Sequence, residues 1–142
     1  MHFNDTRESA GESMNAAYAR PLQGTRLMIA EDNAIIGFDL SCLLRNAGAE
    51  IIGLAKNLLE AEKLASSRTL EGAVLDVSLG DEKVFPVASI LRERRIGVVF
   101  YTAEANPEEL RRDWPNVRVL IKPSPDRLLI EAVAAISCGK WL

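Results

Sequence analysis

Short apolar runs alternate along the chain with longer segments in which apolar residues recur every three or four positions. The runs are almost continuously apolar, which is typical of strands buried on both faces of a sheet. Five strands are predicted, over residues 26–31, 50–54, 72–76, 97–101 and 117–121. Strict alternation of five strands with five helices predicts an α/β fold: a doubly wound, five-stranded parallel sheet with right-handed crossovers.

Capping residues mark where the predicted helices begin and end. Asp32 or Asn33 is the expected N-cap of the first helix, and Gly48 ends it. Pro115 follows the start of the fourth helix so closely that this helix is expected to be short. The other predicted helix starts are Asn57, Val84 with Pro86 in the first turn, Asn106-Pro107 and Ser124-Pro125-Asp126.

Length and composition favour a single domain over residues 25–142, preceded by a flexible N-terminal leader over residues 1–24. The chain has 142 residues, of which 48% are hydrophobic, enough for one core. A net charge of −3 gives no electrostatic basis for nucleic-acid binding. No apolar stretch approaches the roughly 20 residues of a membrane span, and the leader lacks a secretory signal pattern, so a cytoplasmic location is expected.

Cysteine and histidine usage excludes several kinds of site. Cys42 and Cys138 both fall in helical patterns among apolar residues and are expected to be reduced, buried thiols. His2, the only histidine, lies in the leader. A histidine-based metal site and a Cys/His or Ser/His/Asp mechanism are therefore excluded within the domain.

Polar residues stand at the ends of four predicted strands. Glu31 and Asp32 end the first, Asp76 the third, Thr102 the fourth and Lys122 the fifth. The carboxyl ends of parallel strands meet at one edge of a sheet, where open α/β folds bind ligands. Three acids, a hydroxyl and a lysine at this edge suit a phosphoryl group and a hard divalent cation.

Each of these residues has chemistry that suits that edge. Mg²⁺ prefers oxygen ligands, which Glu31, Asp32 and Asp76 supply, with the backbone carbonyl of Ser78 as a further candidate. Asp76 is a carboxylate able to accept a phosphoryl group. A lysine at the end of a buried strand needs an anionic partner, which Asp76 or its phosphate provides.

The same residues also have ordinary structural explanations. Acids such as Glu31 and Asp32 are common and stabilising at helix N-termini. Asp76 alone is consistent with an exposed cap, and Thr102 with a β-branched strand residue. Only the combination of these positions at one sheet edge favours the functional interpretation.

Together these residues resemble the signature of response-regulator receiver domains, the phosphoacceptor modules of two-component signalling. The family pattern is an acid pair after the first strand, Asp after the third, Thr or Ser after the fourth and Lys-Pro after the fifth. Here these are Glu31-Asp32, Asp76, Thr102 and Lys122-Pro123. The resemblance covers residues 26–139 and implies a flavodoxin-like (βα)5 receiver fold.

The resemblance also implies roles and partners. Glu31, Asp32 and Asp76 are expected to hold Mg²⁺, and Asp76 to receive phosphate from a histidine kinase or a histidine phosphotransfer protein. Lys122 is expected to bind the phosphate and Thr102 to move toward it. One position departs from the family: a Tyr or Phe usually lies three residues before the lysine, where this chain has Val119. Tyr101 and Trp114 are the aromatic residues considered as substitutes.

The expected output is contact with an unknown downstream protein, or service as a phosphate shuttle or sink. The sequence ends three residues after Gly139, so it resembles a stand-alone receiver that catalyses only its own phosphoryl transfer and dephosphorylation. A homodimer stays open, with Phe38, Trp114 and Trp141 as candidate interface aromatics and ordinary packing as the alternative.

Three other interpretations compete with this one. A pseudo-receiver that binds partners without taking phosphate is the main alternative, because Val119 departs from the family. A haloacid-dehalogenase-type phosphatase usually has a second Asp two residues after its nucleophile, where this chain has Ser78. A nucleotide-binding flavodoxin-like module would need a glycine-rich phosphate loop after the first strand, and that turn carries Glu31-Asp32.

Overall fold

The computed structural model describes residues 20–103 and 106–137, which form a parallel sheet covered by helices on both faces. In chain order the strands are β1 (Arg26–Ala30), β2 (Glu50–Ala55), β3 (Gly72–Leu75), the short β4 (Ser78–Leu79) and β5 (Glu82–Lys83), β6 (Gly97–Thr102) and β7 (Arg118–Ile121). The main sheet has five of these strands in the order β2-β1-β3-β6-β7, and every neighbouring pair is parallel. The doubly wound fold predicted from the sequence is therefore confirmed.

Within the described residues, four helices connect the strands of the main sheet and a fifth follows β7. They are α1 (Ala34–Asn46), α2 (Leu58–Ser67), α3 (Phe85–Glu93), α4 (Pro107–Asp113) and α5 (Asp126–Ser137). Asn33 rather than Asp32 is the N-cap of α1, because its side chain accepts hydrogen bonds from two amides of the first turn. Asn57 and Asn106 cap α2 and α4 as expected, and α4 is short.

Alternation along the inner strands divides the core between the two faces of the sheet. In β1, Leu27 and Ile29 face α1 and α5, whereas Met28 and Ala30 face α2, α3 and α4. Leu40 and Leu44 of α1 and Leu129, Ala132, Val133 and Ile136 of α5 complete the first core. The inner strands β1, β3 and β6 are buried almost throughout, while the edge strands β2 and β7 are partly exposed.

Two features of the fold were not predicted from the sequence. The short strands β4 and β5 form an antiparallel hairpin that follows β3 and turns at Gly80, whose φ is +62°. The described end of the expected leader also packs against the domain. Leu22 is fully buried, and its N–H donates to the carbonyl of Ala47.

Some expectations are corrected and others fall outside the described residues. Cys42 is a free thiol as expected, but it is half-buried rather than fully buried. His2, Cys138, Gly139 and Trp141 lie outside the part of the chain that the structure describes. Within that part, no helix has the length and apolar character needed to cross a membrane.

Candidate functional site

The four polar strand ends meet at the carboxyl edge of the sheet. Strand order makes β1, β3, β6 and β7 successive neighbours, so the residues that end these strands come together. The N–H of Asp76 donates to the carbonyl of Ala30 at 2.9 Å, which fixes Asp76 beside the end of β1. The N–H of Lys122 donates to the carbonyl of Thr102, also at 2.9 Å. The peptide bond between Lys122 and Pro123 is cis.

Lys122 lies between two carboxylates. Its Nζ is 2.8 Å from Oδ2 of Asp76 and 2.5 Å from Oε1 of Glu31. The side chains of Lys122 and Asp76 are 14% and 12% exposed, so both ion pairs are shielded from water. Shielded charge-assisted hydrogen bonds are stronger than exposed ones, and they orient the ammonium toward Asp76.

Glu31 is the most buried acid of the site, with only 3% of its side chain exposed. Its second oxygen, Oε2, accepts a hydrogen bond from the N–H of Asn33 at 3.1 Å. Burial raises the pKa of Glu31, an effect that the charge of Asp76 reinforces and that the bonds from Lys122 and Asn33 partly offset. Glu31 therefore holds the lysine with one oxygen and the start of α1 with the other.

The pKa of Lys122 is shifted upward by its surroundings. Burial by itself would lower the pKa of a lysine, but the hydrogen bonds to Asp76 and Glu31, together with their negative charge, outweigh burial. Lys122 is therefore a permanent cation at neutral pH. A fixed positive charge beside Asp76 is what an incoming phosphoryl group requires.

Asp32 completes a cluster of three acids. Carboxylate oxygens of Glu31, Asp32 and Asp76 lie within 4.8 Å of one another. Asp32 is exposed to solvent, and its Oδ2 accepts the N–H of Gly80 at 2.9 Å. An all-oxygen donor set with one solvent-facing carboxylate suits Mg²⁺, which binds through one or two carboxylates and keeps several waters. The residues present therefore fit this ion.

The hairpin contributes site residues that sequence reasoning missed. Gly80 at its tip bonds Asp32, and Lys83 donates from Nζ to Oγ of Ser78 at 2.8 Å. The N–H of Ser78, whose carbonyl the sequence offers as a metal ligand, donates to Oδ1 of Asp76 at 3.3 Å. A two-residue Gly-Asp turn is a known hairpin signal, so the hairpin itself was detectable, whereas its contact with Asp32 was not.

Thr102 is at the same edge, in a buried position. Its exposed fraction is 1%, and the next residue, Ala103, is exposed. Val119, at the position where an aromatic was expected, is also buried, in the core that faces α2, α3 and α4. Of the two aromatics considered as substitutes, Trp114 lies in the same core as Val119, and Tyr101 packs against the opposite one.

Trp114 belongs to an aromatic cluster beneath α3 and α4. Its ring stacks on Phe85 and meets Phe100 edge to face, with centroids 5.9 Å apart in both cases. The guanidinium carbon of Arg92 lies 4.3 Å from the Trp114 ring centroid. Trp114 is 8% exposed, which agrees with ordinary packing, whereas Phe38 is 63% exposed.

Comparison with known proteins identifies relatives among bacterial regulators. The transcriptional regulatory protein PdtaR of Mycobacterium tuberculosis is 34% identical over 111 residues, or 76% of this chain and 54% of PdtaR. The phyllosphere-induced regulator PhyR of Methylorubrum extorquens is 32% identical over 102 residues, or 70% of this chain and 36% of PhyR. The chain thus spans about half or less of the length of these relatives.

Solved structures agree on the fold. A response regulator receiver protein from Sinorhizobium medicae superimposes with a TM-score of 0.73 and 24% identity, covering 82% of this chain and 97% of that protein. No protein-family model matches the sequence.

Proposed function

Since this chain belongs to the receiver-domain family of response regulators, we propose that Asp76 accepts a phosphoryl group and that this transfer is its signalling event. The proposal rests chiefly on the position of the Lys122 ammonium, which is 2.8 Å from Oδ2 of Asp76 and shielded from water. A carboxylate beside a fixed cation is suited to receive a phosphoryl group, because the cation offsets the charge that the phosphoryl group brings.

The transfer proposed is a displacement at phosphorus. An oxygen of the Asp76 carboxylate forms the new O–P bond while the P–N bond of a donor phosphohistidine breaks, and the bonding electron pair returns to the imidazole nitrogen. Lys122 stays protonated throughout and stabilises negative charge on the phosphoryl oxygens. The buried hydroxyl of Thr102 and the N–H of Ser78 are further donors at this edge.

Glu31, Asp32 and Asp76 are proposed to hold Mg²⁺, with the carbonyl of Ser78 as a further ligand. When bound, the ion neutralises charge on the acid cluster and on the phosphoryl oxygens. Glu31 already uses both oxygens in bonds to Lys122 and Asn33, whereas Asp32 faces solvent. Asp32 and Asp76 are therefore the acids best placed for direct contact with the ion.

The proposed donor is a histidine kinase or a histidine phosphotransfer protein, and the proposed location of the reaction is the cytoplasm. The two relatives are named as regulators, one of them a transcriptional regulatory protein. We therefore propose output through contact with a downstream protein, or transfer of phosphate onward. The only reactions catalysed would be phosphorylation and dephosphorylation of Asp76 itself.

Incubation with acetyl phosphate, with and without Mg²⁺, tests this function. Intact mass would be recorded for the wild type, for Asp76→Asn and for Asp113→Asn, a matched change at an exposed acid of α4. We expect wild type and Asp113→Asn to gain one phosphoryl group only with Mg²⁺, and Asp76→Asn to gain none.

Two results would contradict the proposal. An equal gain in Asp76→Asn would move the phosphoacceptor to another residue. No gain in the wild type with Mg²⁺ present would contradict phosphorylation of Asp76 and favour the pseudo-receiver interpretation, in which the domain binds partners without taking phosphate.

A further inference from the structure

Tyr101 contacts both the ammonium of Lys122 and the turn that follows Lys122. The ammonium of Lys122 lies over the Tyr101 ring, with Nζ 5.6 Å from the ring centroid. The phenol oxygen accepts a hydrogen bond from the N–H of Ser124 at 3.4 Å. One side chain therefore touches Lys122 and the connection from β7 to α5.

The pairing of β6 with β7 explains why Tyr101 reaches this place. Tyr101 is opposite Leu120 and Thr102 is opposite Ile121, so Lys122 is the next residue beyond the paired segment. Adjacent strand residues point to opposite faces of a sheet. Tyr101 consequently approaches Lys122 from the side of α1 and α5, away from the core that contains Phe100 and Val119.

Tyr101 packs against the core on the side of α1 and α5, but core filling accounts for only part of its ring. Tyr101 is only half-buried, and its ring lines an open groove of about 300 Å³ between α1 and α5. The groove is also lined by Asp39 and Asp126, so the ring is next to solvent and to acidic side chains. Replacing the ring by a smaller aliphatic side chain would enlarge this groove.

The position of Lys122 needs restriction because a lysine side chain has many rotamers. Its ammonium is bonded to Glu31 and Asp76, but a phosphoryl group on Asp76 would alter one of these two contacts. An aromatic face attracts an ammonium and limits the directions in which it can move. Tyr101 supplies such a face on one side of Nζ.

We propose that Tyr101 is a positioning residue for phosphoryl transfer to Asp76. Its ring keeps the ammonium of Lys122 beside Asp76, and its hydroxyl steadies the turn at Ser124. This inference rests on the proposed function of Asp76, and Tyr101 acts through Lys122 rather than on the phosphoryl group.

Two substitutions separate the two contacts. Tyr101→Phe keeps the ring and removes the hydroxyl, whereas Tyr101→Leu removes both. Phe38→Leu, on the exposed side of α1, is a matched aromatic-to-leucine control. The rate of Asp76 phosphorylation would be measured against acetyl phosphate concentration at saturating Mg²⁺, and thermal melting would establish that each variant is folded.

We expect Tyr101→Leu to lower the rate at saturating acetyl phosphate roughly threefold to tenfold, as loss of one cation–π contact implies. The acetyl phosphate concentration giving half the maximal rate should change little, because the contact orients Lys122 rather than binding the donor. Tyr101→Phe should keep the rate within about twofold of wild type, because the ring carries the cation–π contact. Phe38→Leu should leave the rate unchanged.

A spectroscopic signature gives a second readout that does not require phosphate. The ε-methylene protons of Lys122, identified by their absence in Lys122→Met, should be shifted upfield by the ring in the wild type and in Tyr101→Phe. They should move downfield in Tyr101→Leu.

The same measurements separate a failure of the role proposed for Tyr101 from a failure of the role proposed for Asp76. A wild-type protein that gains no phosphoryl group contradicts the function of Asp76 and, with it, this role. A wild type that is phosphorylated at the same rate as a folded Tyr101→Leu, with an unchanged Lys122 signal, contradicts the role of Tyr101 alone.

Discussion

The ammonium of Lys122 lies 2.5 Å from Oε1 of Glu31, although the two residues are 91 positions apart in the chain. Lys122 therefore binds a second acid besides Asp76, and that acid is the most buried of the three. The pair joins the last strand of the sheet to the first across two intervening strands. Charge balance in the site consequently depends on Lys122 as much as on the acids.

Substitution of Lys122 by Met should destabilise the fold near neutral pH. The change keeps an unbranched side chain, one heavy atom shorter, but leaves Glu31 and Asp76 without a shared cation, at a cost of about 2–3 kcal/mol in the free energy of unfolding. Urea denaturation would measure the cost, with Lys63→Met as a control at an exposed lysine. An equal effect of both substitutions would argue against a stabilising role for Lys122.

The cost of Lys122→Met should shrink as the pH falls. The folded-state pKa of Glu31 is raised above its usual value of 4.5, so folding favours the protonated acid. The stability that the protonated Glu31 contributes is fully present below pH 4.5 and is lost as pH rises through the folded-state pKa of Glu31. Removing the lysine should raise the pKa further, and repeating the denaturation at about pH 5 should show a smaller difference from wild type. A constant difference would contradict this coupling.

Replacement of Glu31 by Gln should weaken Mg²⁺ binding while preserving the fold. The amide keeps the size of the side chain but removes one negative charge next to Asp76, and loss of a partner around a metal site typically costs about tenfold in affinity. Calorimetric titration with Mg²⁺ would measure the change, with Glu93→Gln, an exposed acid at the end of α3, as the control. Unchanged affinity would exclude Glu31 from the metal site.

Mg²⁺ affinity should rise with pH through the acidic range. Because burial raises the pKa of Glu31, a proton competes with the metal at pH values where an ordinary glutamate is already ionised. The same titration at several pH values should give a steeper increase for wild type than for Glu31→Gln, which has no proton to lose at this position. Equal slopes would assign the pH dependence to other acids.

Two glycines with positive φ should differ in their tolerance of alanine. Gly80 has φ +62°, and a Cβ added there would meet no atom within 4 Å, so Gly80→Ala should cost only the backbone strain of about 1 kcal/mol. Gly48 has φ +107°, and a Cβ there would be 2.7 Å from backbone atoms of Gln23, so Gly48→Ala should cost about 2–5 kcal/mol. Urea denaturation of both variants would compare them, and equal costs would contradict the close approach of Gln23.

Trp114 and Phe38 should respond differently to replacement by leucine. Trp114→Leu removes the contacts with Phe85, Phe100 and Arg92 and should cost about 2–4 kcal/mol of stability. Phe38→Leu, at an exposed position, should change stability by less than about 0.5 kcal/mol. Thermal melting would measure both, and similar effects would contradict the burial difference.

The alternation of apolar runs and capping residues was enough to predict the fold class and most of its elements. Buried strands need continuous apolar runs, and helix starts need side chains such as those of Asn33 and Asn57, so both leave local signals. Strand ends nevertheless shifted by one residue, as for Glu31, which follows β1 rather than ending it. The turn of the antiparallel hairpin after β3 has a local signal in Gly80-Asp81, but its strands have only two residues each, too few for an alternating apolar pattern.

The sequence by itself determined which residues gather at the site, because Glu31, Asp76, Thr102 and Lys122 each follow or end a strand of one parallel sheet. Only the tertiary structure decided how they pair: that Lys122 bonds Glu31 as well as Asp76, that Gly80 holds Asp32, and that Tyr101 lies beside Lys122. The physical reason is the distance along the chain over which each interaction acts. Apolar periodicity and capping act over a few residues, whereas these contacts depend on strand register and on loops that bring distant segments together, for which no local pattern exists.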